Sequence, residues 1–255
     1  MKNPPFIVDY PVLLNDISID AKLRSWTLFN YLQDAAGRHA DQLGVGLKQL
    51  RESDLSWVLS RVRIKMDEFP EYGDVLRVST YPSGFERLFA YRQFVLTSAL
   101  TGKRFGVAGS AWLTINPATL RLVSPAKYFT GLPEWDFEGE TWFQGETLDK
   151  ISVDDDAAAP LVQSVYCSQI DYNRHPNNAF YAMFTENWLG KQLDAPARFH
   201  EIQINFNQST AIDETLLCAG TLHEDGRFSV SGTQQNSGKN AFIAQGLCDR
   251  VNGAD

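Results

Sequence analysis

An internal repeat constrains this chain more than any other feature of its sequence. Each half carries an apolar pattern at helical spacing followed by strand-like segments, and turn residues recur in matching places. Gly102-Lys103 and Gly238-Lys239 precede the last strand of each half, 136 residues apart, and Gly73-Asp74 and Ile212-Asp213 precede an earlier strand, 139 residues apart. Near-constant separation of turn signals marks two copies of one unit of roughly 110 residues. A helix must bury one stripe and a strand meander one face. Each copy is therefore expected to lay its helix on an antiparallel sheet, which makes the chain α+β.

In the first copy, Phe6 to Leu14 reads as a short strand. Ser25 offers an N-cap, and Leu28, Leu32, Ala35, Ala36, His39 and Leu43 recur at helical steps until Gly44 and Gly46. Strands are expected at Trp57–Met66, Val75–Tyr81, Phe85–Thr97 and Arg104–Ile115, with Pro82-Ser83-Gly84 as one of the separating turns. The second copy reads as a strand at Ser164–Ile170, a helix from Asn178 to Leu193, and strands near Glu201–Phe206, Thr215–His223, Phe228–Gln234 and Ala241–Asp249. Between them periodicity fails, and Gly131, Pro133, Gly139, Gly145, Asp154-Asp155-Asp156 and Ala157-Ala158-Ala159-Pro160 accumulate. The expected division is an N-terminal domain over 1–125, a connecting segment over 126–163 and a C-terminal domain over 164–255. Tyr128, Phe129, Trp135, Phe137, Trp142 and Phe143 are too many aromatics for a free tether, so this segment should lie against the body.

Charge and cysteine usage narrow the function. A net charge of −8 argues against a nucleic-acid partner, because an excess of carboxylates would face the phosphate backbone. Cys167, Cys218 and Cys248 are widely spaced and odd in number, which indicates neither a disulfide framework nor a zinc site; Cys167 reads as a small buried hydrophobe. No cofactor motif is present. No apolar run reaches the roughly 20 residues that span a bilayer, and no signal-type segment follows Met1, so a cytoplasmic protein is expected.

Chemistry concentrates in Asp171-Tyr172-Asn173-Arg174-His175-Pro176-Asn177-Asn178, at the expected strand-to-helix junction. Asp171, Asn173 and His175 supply a carboxylate, a carboxamide and an imidazole. Backbone N–H groups at Asn177 and Asn178, opening the helix, are candidates for stabilising a developing oxyanion. Either Asp171 or His175 has the chemistry of a general base. An Asp-x-Asn-x-His run also has a plainer reading, an Asx turn with a helix cap. His39 falls on the apolar helix face as a packed, hydrogen-bonded core residue, while His200 and His223 read as surface or strand positions.

The chain resembles the acyl-acyl carrier protein thioesterases, built from two fused hotdog domains. In the first half the resemblance rests on Leu32 to Ala40, Trp57 to Arg61 and Pro70 to Asp74. In the second it rests on Asp171, Asn173, His175, Asn177, Asn178 and Tyr181. It implies hydrolysis of fatty acyl-carrier-protein thioesters by activated water, catalytic Asp171, Asn173 and His175, and acyl carrier protein as partner. The N-terminal domain is expected to accommodate the acyl chain and the protein to be a monomer or homodimer. Plant members carry a transit peptide that this chain lacks, so it looks like a bacterial member. The alternatives are a hotdog acyl-coenzyme A thioesterase and a hotdog protein that binds acyl chains without hydrolysing them. One departure stands out: the family generally has a Glu where Ser209 stands here, so if that Glu helps to activate the water this protein must do without it or recruit Asp213, Glu201 or Glu214.

Overall fold

In each half a short strand and a helix precede a run of strands, as the repeat requires. The computed structural model describes residues 2–129, 136–153 and 159–252. Its elements are β1 (Phe6–Pro11), α1 (Ser25–Gln42), α2 (Leu47–Glu52), β2 (Ser56–Met66), β3 (Val75–Glu86), β4 (Phe89–Ser98), β5 (Arg104–Ile115), β6 (Leu122–Val123) and α3 (Pro125–Tyr128). There follow β7 (Leu161–Ser164), α4 (Asn178–Leu193), β8 (Ala197–Phe206), β9 (Thr215–Leu222), β10 (Arg227–Gln234) and β11 (Asn240–Arg250). Two units emerge: Met1–Val12 with Asn30–Asp149, and Leu13–Phe29 with Lys150–Asp255.

Both units contain an antiparallel sheet with one strand order. The first runs β1-β3-β4-β5-β2, with β6 added to β5. The second runs β7-β9-β10-β11-β8. The repeat extends to single hydrogen bonds. Gly102 and Gly238 have φ of 75° and 68°, and their N–H groups donate to the Ser98 and Gln234 carbonyls at 2.9 Å each. The other pair is offset by one residue from the sequence expectation. Val12 bonds Asp74 and Gly73 while Val165 bonds Glu214 and Asp213, so Asp213-Glu214 is the counterpart of Gly73-Asp74. The reason is conformational: Gly73 (φ 88°) and Asp213 (φ 61°) share the left-handed position.

Pro82-Ser83-Gly84 also departs from expectation. It does not separate two strands but forms a bulge inside β3, where Gly84 at φ 117° admits the extra residue. The reversal comes later, at Arg87 (φ 55°).

In the second unit α4 buries Ala179, Tyr181, Ala182, Phe184, Thr185, Trp188 and Leu189 and packs on β8, β9, β10 and β11. Full burial of a large apolar side chain is worth about 1.5–3 kcal/mol, so this helix anchors its unit. Gln163 on β7 ties the strand to the helix, donating to the Phe184 carbonyl and accepting from Asn187, both at 2.8 Å.

The connecting aromatics lie against the first unit where they are described. Phe129 is buried near Trp57 and Phe85, and Phe143 packs with Tyr91, Val107, Ala111 and Leu148. Gln93 fastens this segment, donating to the Phe143 carbonyl at 3.0 Å while its side-chain oxygen accepts from the Trp142 and Phe143 N–H groups. Tyr128 is 40 % exposed. Trp135, with Gly131, Pro133, Asp154-Asp155-Asp156 and Ala157-Ala158, lies outside the described residues.

A Cβ at Gly109 on β5 would stand 2.8 Å from both the Cβ and the carbonyl oxygen of Phe143. Gly109→Ala is therefore expected to destabilise the chain by about 1–3 kcal/mol in urea unfolding and to speed hydrogen exchange at the Phe143 amide. Unchanged values for both would show that the segment is not seated on the sheet.

Candidate functional site

The loop between β7 and α4 is pinched at its base and held open at its tip. Ile170 bridges Pro176, and the Asp171 N–H donates to the His175 carbonyl at 2.9 Å. Within the loop, the Asp171 carboxylate accepts the Asn173 N–H at 2.8 Å, an Asx turn, and the Arg174 N–H donates to the Asp171 carbonyl at 3.0 Å. Arg174 takes a left-handed φ of 66° to close the turn. Asn177 then caps α4, its side-chain oxygen accepting the Ala179 N–H at 2.9 Å.

This fold gathers Asp171 and His175 and leaves Asn173 exposed at the tip. His175 Nδ1 lies 3.8 Å from Asp171 Oδ1 and 3.4 Å from the Pro176 carbonyl oxygen. The first distance exceeds a direct hydrogen bond. Both neighbours are acceptors, which favours the tautomer with the proton on Nδ1 and the lone pair on Nε2. The Asp171 and His175 side chains are 18 % and 32 % exposed, so the pair is reachable.

One turn into α4, Tyr181 connects the pair to the loop after β8. Its phenol donates to Thr210 Oγ1 at 3.1 Å, and its pKa is raised by burial and, more weakly, by the Asp171 charge. The Ser209 region therefore lies beside Tyr181, although Ser209 itself is exposed and its carbonyl accepts from Gln234 at 2.8 Å. Thr210 had no signature in the sequence, since only the folded loop brings it to the helix.

The remaining candidates have other occupations. The Asn177 N–H donates to the Gln169 carbonyl at 3.1 Å, so this backbone donor is committed to holding the loop rather than pointing at an oxyanion. Asn178 occupies the first helical position. Asp213 sits at the left-handed turn entering β9, and Glu214 accepts the Thr215 and Asn236 N–H groups at 3.2 and 3.3 Å. Glu201, on β8, pairs with Leu247 of β11 and lies five residues before Phe206, thus about 16 Å back along the strand from its end at the Ser209 loop. Cys167 is exposed in the 3-10 turn Cys167–Gln169, beyond the end of β7 at Ser164, contrary to the buried position expected within a strand. Among the described residues no group of three or more His, Cys, Asp or Glu is gathered as a metal would require.

The first copy has the same loop with different side chains. Ile17 bridges Leu23, the Ser18 N–H donates to the Lys22 carbonyl at 2.8 Å, and Ala21 takes φ 60°. Ser18, Asp20 and Lys22 thus stand where Asp171, Asn173 and His175 stand in the second copy. Asp20 is consumed by a two-pronged ion pair with Arg198 on β8, with side chains 15 % and 10 % exposed. Burial opposes ionisation of Asp20, but the Arg198 hydrogen bond and charge prevail and hold its carboxyl below the usual range. Beside it, partly buried Glu186 is pushed up to about 7 by desolvation, against the opposing effects of Ser25, Arg24 and Arg198.

Comparison with known proteins gives a consistent pattern. The sequence matches the family described as acyl-ACP thioesterase N-terminal domain over residues 5–129. It is 28 % identical to a chloroplastic palmitoyl-acyl carrier protein thioesterase of Gossypium hirsutum, over 98 % of this chain and 61 % of that protein. A namesake from Arabidopsis thaliana is 28 % identical over 69 % of this chain and 45 % of its own length. The chain thus spans about half to three fifths of these relatives. Among solved structures, an acyl-ACP thioesterase from Bacteroides thetaiotaomicron superposes with a TM-score of 0.83 at 23 % identity, covering 95 % of this chain and 97 % of that one. The 12:0-ACP thioesterase from Umbellularia californica gives 0.82 at 17 % identity, covering 96 % and 97 %. These likenesses establish the fold as two tandem hotdog units.

Asn177→Ala is expected to cost about 1 kcal/mol in chemical denaturation, and Asn177→Asp far less. Glu186 binds its proton more tightly folded than unfolded, so its contribution to stability is present below pH 4.5 and is lost as pH rises through about 7. Glu186→Gln should therefore flatten the fall in unfolding free energy between pH 5 and 8; an unaltered slope would refute this account.

Proposed function

Because the chain belongs to the acyl-ACP thioesterase family, we propose that it hydrolyses the thioester joining a fatty acyl group to the phosphopantetheine arm of acyl carrier protein. The observation that carries this reading is the Asx-turn loop presenting Asp171, Asn173 and His175 at the start of α4.

In the proposed reaction, His175 Nε2 takes a proton from water as its oxygen attacks the thioester carbonyl carbon. Asp171, on the Nδ1 side, stabilises the imidazolium that forms. The exposed Asn173 carboxamide donates to the developing oxyanion, in the positive field of the α4 N-terminus. Collapse of the tetrahedral intermediate breaks the carbon–sulfur bond, and the thiolate recovers the proton from His175. Fatty acid and carrier thiol result. No second carboxylate enters, in keeping with Ser209 at the position where a Glu was expected. Arg174, exposed at the loop tip, offers a cation to an acidic carrier. The first unit is assigned to accommodating the acyl chain.

The same pantetheine thioester is present in acyl-coenzyme A, so the substrate test uses one acyl group on both carriers, followed by a series of chain lengths on the preferred one. Preference for acyl carrier protein is expected; strong preference for coenzyme A would move the assignment to the rival hydrolase. His175→Ala is expected to lower kcat by about 10²- to 10⁴-fold and Asn173→Ala by about 10²- to 10³-fold. Undiminished turnover in Asp171→Ala or His175→Ala would overturn the site. A wild-type chain that binds acyl carriers without turnover would be the non-hydrolytic protein instead.

A further inference from the structure

Among its described residues the first unit encloses a cation with no matching anion. Arg92 on β4 occupies the inward register shared with Ala90, Phe94 and Leu96 and is only 7 % exposed. Its Nη1 is fully used, bonding His39 Nδ1 at 3.0 Å and Thr80 Oγ1 at 3.2 Å. Neither partner brings negative charge. Thr80 gives its own proton to the Gln93 carbonyl at 2.9 Å. His39, 3 % exposed on α1, is pushed down to about 3 by burial and by the Arg92 charge, so it is neutral and accepts at Nδ1. Among the described residues no carboxylate pairs with Arg92, whose own pKa is lowered by burial alone. A guanidinium held in an interior without a counter-charge is costly, and chains retain such groups where something else neutralises them.

The unused edge of the guanidinium identifies the class of ligand. With Nη1 occupied, Nε and Nη2 remain as two parallel N–H donors, the fork that matches the two oxygens of a carboxylate. The surroundings are apolar: Phe6 stacks on His39 at 5.1 Å between ring centres, Phe137 meets it edge-on at 5.3 Å, and Phe94 follows on the same face of β4. We propose that Arg92, oriented by His39 and Thr80, anchors a binding site in the first unit for the carboxylate of an aliphatic acid, separate from the Asp171–His175 loop. The carboxylate follows from the guanidinium alone, whereas the aliphatic tail also rests on the thioester-hydrolase reading. A free fatty acid seated there would tie occupancy of the acyl-accommodating unit to accumulated product.

The test measures binding and needs no turnover. Full-length protein is titrated calorimetrically with dodecanoate and with dodecan-1-ol, which shares the tail and lacks the charge. Dodecanoate is expected to bind more than tenfold more tightly than the alcohol, Arg92→Met to abolish that difference, and Asp171→Asn to retain it. Location is read from the ¹⁵N imidazole spectrum of the wild-type protein, which has four histidines. Dodecanoate should shift the His39 resonances. Equal affinity for acid and alcohol, or shifts confined to His175, would overturn the proposal, and both readouts stand even if Arg92→Met does not fold. Loss of hydrolysis in His175→Ala with the His39 shift intact would separate this site from the catalytic one.

Discussion

The second unit is built around a helix that must be buried on most of its circumference. From Ala179 to Leu189, seven side chains of α4 are buried, Trp188 and Leu189 completely. Such a helix cannot lie on a solvated surface, and a sheet that curves around it is the arrangement that satisfies it. Its N-terminus is consequently fixed in space, and Asn177 at the cap fixes where the preceding loop must close. Positions of Asp171 and His175 are thus consequences of packing several residues downstream.

Duplication followed by divergence explains how one loop geometry came to have two uses. Both loops close with the same bridge and the same left-handed residue, Ala21 in one and Arg174 in the other. The backbone demands only those features, leaving the tip side chains unconstrained. In one copy Asp20 is locked to Arg198, with Ser25 and Glu186 alongside, and its charge is spent on structure. In the other, Asn173 is exposed and Asp171 faces an imidazole. A polar cluster whose members satisfy one another holds a fold; one with an exposed donor and a reachable base is equipped for chemistry.

Buried polarity in the first unit follows a different logic. Gln93 and Arg92 are neighbours on β4 and point to opposite faces. Gln93 is satisfied by four hydrogen bonds, three to Trp142 and Phe143 of the connecting segment and one to Ser83 on β3. Among the described residues Arg92 meets only a neutral imidazole and a hydroxyl. Strand alternation places the two side chains, but only the elements lying over each face decide whether their hydrogen bonds are met.

The sequence by itself determined the repeat, the α4 bounds, about half of the strand bounds and the residues of the Asp171 loop, because these depend on local periodicity, turn conformation and capping; the strand expected at Ser164–Ile170 is instead Leu161–Ser164, followed by a turn. It erred where a local signal had two meanings: Pro82-Ser83-Gly84 marks a bulge as readily as a turn, and Ile212-Asp213 matched Gly73-Asp74 by letter but not by φ. It also singled out Asp171 and His175 without their separation. Arg92 left a faint trace, a charge in the inward register of an apolar strand. Only the tertiary structure decided that Asn177's N–H is taken by Gln169, that Thr210 reaches Tyr181, that Asp20 is neutralised by a residue 178 positions away, and that Arg92 meets no carboxylate among the described residues. These are long-range pairings of charge and hydrogen bonds. No local pattern encodes them, because each depends on which distant side chain the packed core leaves within about 3 Å.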